Sequence, residues 1–177
     1  MFNFKDEKKL VLEYFNSINE AKSENLINII SKYTSDEFKM RCTHPFNELN
    51  GANQTANNLW VPIKNSFEPV QRRMDIFYAG INSHDNNEGK WVTSMGHFMG
   101  VFKKPFLGIQ PNHKSILLRY AEFYKVENNK ITEGAIFLDI MNFMQQLGLS
   151  IIPESTGLVC VTPGPMNHKG LKFDHYD

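Results

Sequence analysis

Asp139 closes an otherwise apolar run, Ala135-Ile136-Phe137-Leu138, that follows Lys130-Ile131-Thr132-Glu133-Gly134. A carboxylate at the end of such a strand is costly unless it is hydrogen-bonded or used. An ordinary aspartate, with a pKa of about 3.9, is a poor general acid near neutral pH. Apolar surroundings raise that value by disfavouring the charged form, and Ile136, Phe137, Leu138 and Ile140 supply them. Asp139 also directly precedes Ile140-Met141-Asn142-Phe143-Met144-Gln145-Gln146-Leu147-Gly148, which reads as a short apolar helix. Aspartate is a favoured N-cap, so acid/base catalysis and helix capping both fit this position.

Other side chains are candidates to complete a site. Arg119 shares an alternation face with Leu117, Ala121 and Phe123. A guanidinium there would anchor an oxyanion or a carboxylate, pair with Asp139, or form a structural pair with Glu122, Glu133 or Asp75. His97 shares a face with Trp91, Thr93, Met95 and Met99. It would orient a carbonyl or relay a proton, or be a core histidine held by a hydrogen bond. His44, in the run Arg41-Cys42-Thr43-His44-Pro45-Phe46, would line a pocket mouth with Arg41 or shape a turn. Trp60, Phe123 and Phe137 would line a pocket for a lipophilic ligand or fill the core.

Composition narrows the function classes. The chain has 177 residues, enough for one domain with a sizeable core. Lys plus Arg and Asp plus Glu each number 19, leaving no cationic surplus for nucleic-acid phosphates. Cys42 and Cys160 show no metal-type spacing and read as reduced thiols. No His-x-x-x-His pair, nucleophile elbow or glycine-rich phosphate loop is present, so neither metal nor nucleotide cofactor is expected. No apolar run approaches the ~20 residues that span a bilayer. A soluble, cytoplasmic protein is the expectation.

The elements that must position these residues follow from periodicity. Leu10, Val11, Tyr14, Phe15 and Ile18 mark one face of a helix with Asp6 as its N-cap. A second helix starts near Ser23 and ends before Thr34-Ser35-Asp36. A short strand is expected over 38–43 and a helix over 52–61, stopped by Pro62. Four strands then follow, over 72–80, 91–102, 115–127 and 131–140, with a polar turn at 84–89 and a tight turn at Asn128-Asn129. Helices first and strands afterwards point to an α+β fold, helices covering one face of a curved sheet. Residues 1–150 form this domain. The Pro- and Gly-containing segment 151–177 reads as a tail packed on the domain or on a partner subunit, or as disordered.

Glu133, Asp139 and the helix ending Gln146-Leu147-Gly148 resemble the C-terminal signature of SnoaL-like polyketide cyclases. These belong to the nuclear transport factor 2-like superfamily, with ketosteroid isomerase and scytalone dehydratase. His97-Phe98-Met99-Gly100 resembles the family's strand before its central loop. Gly108-Ile109-Gln110-Pro111-Asn112-His113-Lys114 is similar to its Gly-x-x-Pro-x-x-Lys/Arg turn. The resemblance implies a cone-shaped α+β barrel with a buried pocket and intramolecular aldol chemistry without metal or cofactor. It further implies an aspartate general acid/base at the position matched by Asp139, and a homodimer formed across the sheets. Ala135 stands where the family often has Trp, and Asn112-His113 where it often has Thr-Gly, so the substrate need not be a polyketide. The expectation is a cyclase-, isomerase- or dehydratase-type enzyme on a hydrophobic small molecule. A non-catalytic binding module and a dimeric scaffold are the alternatives.

Overall fold

The computed structural model describes residues 3–82 and 89–149. The expected polar turn at 84–89, except Gly89, and the tail 151–177 lie outside the described residues. Helix α1 (Lys5–Glu20) buries Val11, Tyr14, Phe15 and Ile18, the apolar stripe of the sequence. Asp6 does not cap it: Phe4 holds the N-cap position, and Asp6 and Glu7 lie inside the first turn, where acidic charge favours the helix dipole. A 3₁₀ turn (Ser23–Asn25) leads into α2 (Leu26–Tyr33). Strand β1 (Thr34–Cys42) begins four residues before the expected start, directly at the end of α2.

The short strand β2 (Glu48–Asn50) leads into α3 (Gly51–Thr55), a π-helical turn (Ala56–Trp60) and α4 (Val61–Ser66). Pro62 therefore does not stop the helical path. The π turn directly precedes Pro62, which falls in the first turn of α4, the part of a helix where proline is best tolerated. Lys64 on α4 donates to the carbonyls of Ile18 and Asn19 at 2.8 and 3.0 Å, tying α4 to the C-terminal end of α1.

Strands β3 (Phe67–Asn82), β4 (Gly89–Phe102), β5 (Ser115–Glu127) and β6 (Lys130–Leu138) form the large antiparallel part of the sheet. Helix α5 (Ile140–Gln146) follows. The strand order is β2-β1-β6-β5-β4-β3, with β1 parallel to β6 and every other pairing antiparallel. Asn128 and Asn129 both take positive φ, 49° and 58°, as the tight β5–β6 connection requires.

The sheet curves around the helices, and strand alternation gives it two unlike faces. On β5 the inner residues Ile116, Leu118, Tyr120, Glu122, Tyr124 and Val126 are buried; the outer residues Leu117, Arg119, Ala121, Phe123 and Lys125 are half-buried. At one end, Phe67, Phe102, Phe106 and Phe143 pack ring against ring, with centroids 5.1–5.8 Å apart. Phe143 belongs to α5, so this cluster fixes the helix that follows Asp139.

Candidate functional site

The inner face holds an ion pair in the middle of the apolar core. Arg72 on β3 pairs with Glu122 on β5, and their side chains are 2% and 0% exposed. Both positions are inward by register: Arg72 faces Phe98 of β4, and Glu122 faces Ser94 of β4 and Ile136 of β6. The guanidinium lies 4.0 Å from the Phe15 ring, 4.7 Å from Phe98, 5.0 Å from Tyr120 and 5.5 Å from Trp60. Cation–π attraction to four ring faces offsets part of the cost of burying this charge.

Phenols surround the carboxylate. Tyr120 shares a hydrogen bond of 3.1 Å with Ser94. The Tyr14 hydroxyl lies beside the Trp60 indole N–H and the Tyr124 hydroxyl, and the Tyr124 hydroxyl beside the Glu122 carboxylate, all buried and none in well-aligned hydrogen-bond geometry among the described residues. Burial and the adjacent Glu122 charge push the Tyr14 and Tyr124 phenols well above the usual range. Burial also raises the Glu122 carboxyl, with Arg72 opposing the shift. Burial works against the Arg72 charge, but Glu122 beside it keeps the guanidinium protonated. The Cys42 thiol is pushed up to about 12, chiefly by burial and then by Glu122.

Asp139 lies at the joint of β6 and α5. Its Oδ1 accepts the Asn142 backbone N–H at 2.9 Å, making it the N-cap of α5. Its own N–H donates to the Arg119 carbonyl at 3.0 Å. His97 and Arg119 are direct cross-strand partners on β4 and β5. Asp139, Arg119 and His97 thus form one row across three strands. The row belongs to the outer face and the sheet's end, on the opposite side from the Arg72–Glu122 pair. His97 is 9% exposed, and its Nδ1 lies 3.2 Å from Asp75, which also accepts from Arg73 Nε at 3.1 Å. Asp75 sits at a register shift between β3 and β4.

Phe123 and Phe137 also face outward, with ring centroids 6.1 Å apart. They line an open groove of about 440 Å³ with Tyr78, Trp91, Thr93 and Ala135. Arg41 is exposed and donates to Glu133 at 2.6 Å, with Glu48 at 3.8 Å. His44 is exposed in the turn after β1. Trp60 alone among the sequence candidates reaches the inner centre. The alternation that groups Ala135, Phe137 and Asp139 specifies a shared face, but only the helices decide which face becomes the inside.

The sequence reading overlooked Arg72, Tyr14, Tyr120 and Tyr124, and considered Glu122 only as a partner for Arg119. A signal was available. Glu122 interrupts the stripe Ile116, Leu118, Tyr120, Tyr124, Val126, the same kind of anomaly that singles out Asp139. The cross-strand partner Arg72 could not be read without the register.

Comparison with known proteins agrees with this architecture. Residues 84–147 match the family model of SnoaL-like polyketide cyclases. AclR of Streptomyces galilaeus shares 18% identity over 84% of each chain, with a TM-score of 0.64. A protein assigned as a SnoaL-like polyketide cyclase in Jannaschia sp. CCS1 shares 14% identity over 85% of this chain and 95% of its own, with a TM-score of 0.61. A protein of Catenulispora acidiphila with a ketosteroid isomerase-like fold, in complex with trimethylamine, shares 13% over 79% and 92%, with a TM-score of 0.55. At these identities the neighbours establish the fold. No curated protein matches the sequence significantly.

Proposed function

We propose that this SnoaL-like chain is a cofactor-independent acid/base enzyme acting on a small hydrophobic molecule, with Asp139 as the carboxylate that moves the proton. The observation that carries the reading is the row of Asp139, Arg119 and His97 across three adjacent strands. Asp139 supports the assignment by its place in the matched segment and by a cap that holds the carboxylate in one orientation. Capping uses Oδ1 and leaves Oδ2 without a partner among the described residues.

The outer face carries Tyr78, Phe137 and Met95 at 51%, 55% and 39% exposure. We assign this face to a second copy of the chain, as a homodimer formed sheet against sheet. We place the protein in the cytoplasm, in keeping with Cys42 being unpaired among the described residues.

The decisive test is Asp139→Asn, because asparagine caps helices as well as aspartate does but cannot exchange the proton. The substrate is taken from protein purified from its natural source, by native mass spectrometry and identification of the retained molecule. The variant is expected to fold normally and to lose turnover by roughly 10²–10⁴-fold, the range for a general acid/base. Full activity in the variant would overturn the role of Asp139. A retained molecule that the wild type never converts would leave a binding protein instead.

A further inference from the structure

The open groove on the outer face lies apart from the row of Asp139, Arg119 and His97. Its centre is the cross-strand row Tyr78, Thr93, Phe123 and Ala135. Phe123 stands four residues along β5 from Arg119, about 13 Å at the rise of a strand, too far for direct proton transfer. The groove measures about 440 Å³, the size of a small-molecule site.

Two residues of its floor answer to no need of the fold. Gly80 has no left-handed φ, and a Cβ there would meet no atom within 4 Å. Glycine weakens the interior of a strand, and neither close packing nor the backbone requires one here. Its bareness keeps the groove open. Thr93 is only 6% exposed, and its hydroxyl has no hydrogen-bond partner among the described residues. That hydroxyl is not among the sealed, unpartnered atoms of the interior, so it opens into the groove that Thr93 lines.

We infer that this groove is a binding site for a small, neutral, planar aromatic molecule that hydrogen-bonds to Thr93. The walls are rings: Trp91 and Phe123 half-buried at the sides, Tyr78 and Phe137 exposed at the lip. Phe123 and Phe137 stand nearly perpendicular, at 89°, which offers one ring face and one ring edge to an aromatic guest. None of the lining residues carries a charge. Lys125, the cross-strand partner of Trp91, is held by Glu127 and Glu133 at 3.2 and 3.7 Å. A charged guest would lose its hydration there with no counterion to replace it. The Thr93 hydroxyl both donates and accepts, so the guest carries one hydroxyl or N–H.

The test uses the full chain, labelled with ¹⁵N, and three probes of one shape: 2-naphthol, naphthalene and 2-naphthoate. Amide shifts of Thr93, Phe123 and Ala135 report both affinity and place. Naphthol is expected to bind about tenfold more tightly than naphthalene, which lacks the hydrogen-bonding group, and more tightly than the charged naphthoate. Thr93→Val is expected to erase the preference for naphthol while its unfolding midpoint stays level, because the hydroxyl has no partner to lose. Gly80→Val is expected to abolish binding of all three probes by filling the groove, with a midpoint level or raised. Asp139→Asn is expected to leave naphthol binding unchanged. Tyr78 and Phe137 also belong to the face assigned to a second copy, so guest and copy compete for them. Met95→Lys, which removes the copy without touching the groove, is therefore expected to bind naphthol more tightly than the wild type.

Binding of no probe, as when another part of the chain fills the groove, overturns the inference. So do equal affinities for naphthol and naphthalene, a preference that survives Thr93→Val, or binding that survives Gly80→Val. Loss of binding in Met95→Lys would place the site between two copies and overturn a groove complete within one chain. Equal affinity in Met95→Lys and in a wild type that sediments as a monomer would leave the site standing and remove the homodimer.

Discussion

Replacing the Arg72–Glu122 pair with apolar residues of similar volume, Arg72→Met with Glu122→Leu, tests whether this pair is retained for function. Both side chains are out of water, at 2% and 0% exposure. Each ion therefore carries a desolvation penalty of several kcal/mol that mutual attraction must offset. Removing Glu122 alone strands a guanidinium that cannot shed its proton, and breaking a buried pair costs about 3–5 kcal/mol. The four rings 4.0–5.5 Å from the guanidinium retain part of its stabilisation, which favours the lower end of that range.

Removing Arg72 alone has a different signature, because Glu122 can neutralise itself. Burial already holds its folded pKa above the usual carboxylate value, with Arg72 opposing that shift. Without Arg72 the folded pKa rises further. A carboxyl whose folded pKa lies above its unfolded one contributes stability below the unfolded pKa and loses it as pH rises through the folded value. The deficit of Arg72→Met should therefore be small near pH 5 and grow toward pH 8. The double variant should match the wild type or exceed it by about 1–4 kcal/mol, as apolar replacement of buried ion pairs often does. Urea denaturation of all four proteins at pH 5 and pH 8 closes the double-mutant cycle. A double variant destabilised by the sum of the two single losses would refute the argument, since the pair would then contribute no coupling and would not be a charged centre held against a cost.

Three smaller perturbations separate local roles. Asp139→Ala should lose about 1 kcal/mol of stability through the missing N-cap, and Asp139→Asn close to nothing, as read from urea midpoints. In a Cys160→Ser background, Cys42 should react with a thiol reagent at pH 8 far more slowly when folded than in urea, because its thiol is pushed up to about 12. The same raised value means that stability contributed by the protonated thiol is lost as pH climbs above its ordinary range of about 8.5. Phe137→Lys, in the centre of the exposed apolar face, should shift sedimentation from dimer to monomer while leaving the circular dichroism spectrum unchanged. An unshifted dimer would place the interface elsewhere.

How far the sequence discloses this molecule depends on which physical rule each feature obeys. Strand period and turn chemistry are local, so 115–127 coincides with β5 and Asn128-Asn129 forms the expected tight turn. The passage through Pro62 follows a π-helical turn, which no propensity of the neighbouring residues announces. The strand β2 has three residues and exists only because β1 offers an edge to pair with.

For the site, alternation correctly groups His97, Arg119, Phe123 and Phe137, yet it carries no sign: nothing within a strand says which side a distant helix will cover. The sign comes from comparing the two stripes of the same strand. On β5 one stripe reads Leu118, Tyr120, Glu122, Tyr124, Val126 and the other Leu117, Arg119, Ala121, Phe123, Lys125. The first is more apolar over its length despite Glu122, and it is the buried one. The charge most informative about chemistry is therefore the one embedded in the stripe that hydrophobic burial would select for the inside. By that criterion Glu122 outranks Arg119 before any coordinate is known, and Asp139, one residue beyond β6 and able to cap α5, needs evidence of another kind, the loss of turnover in a variant that keeps the cap.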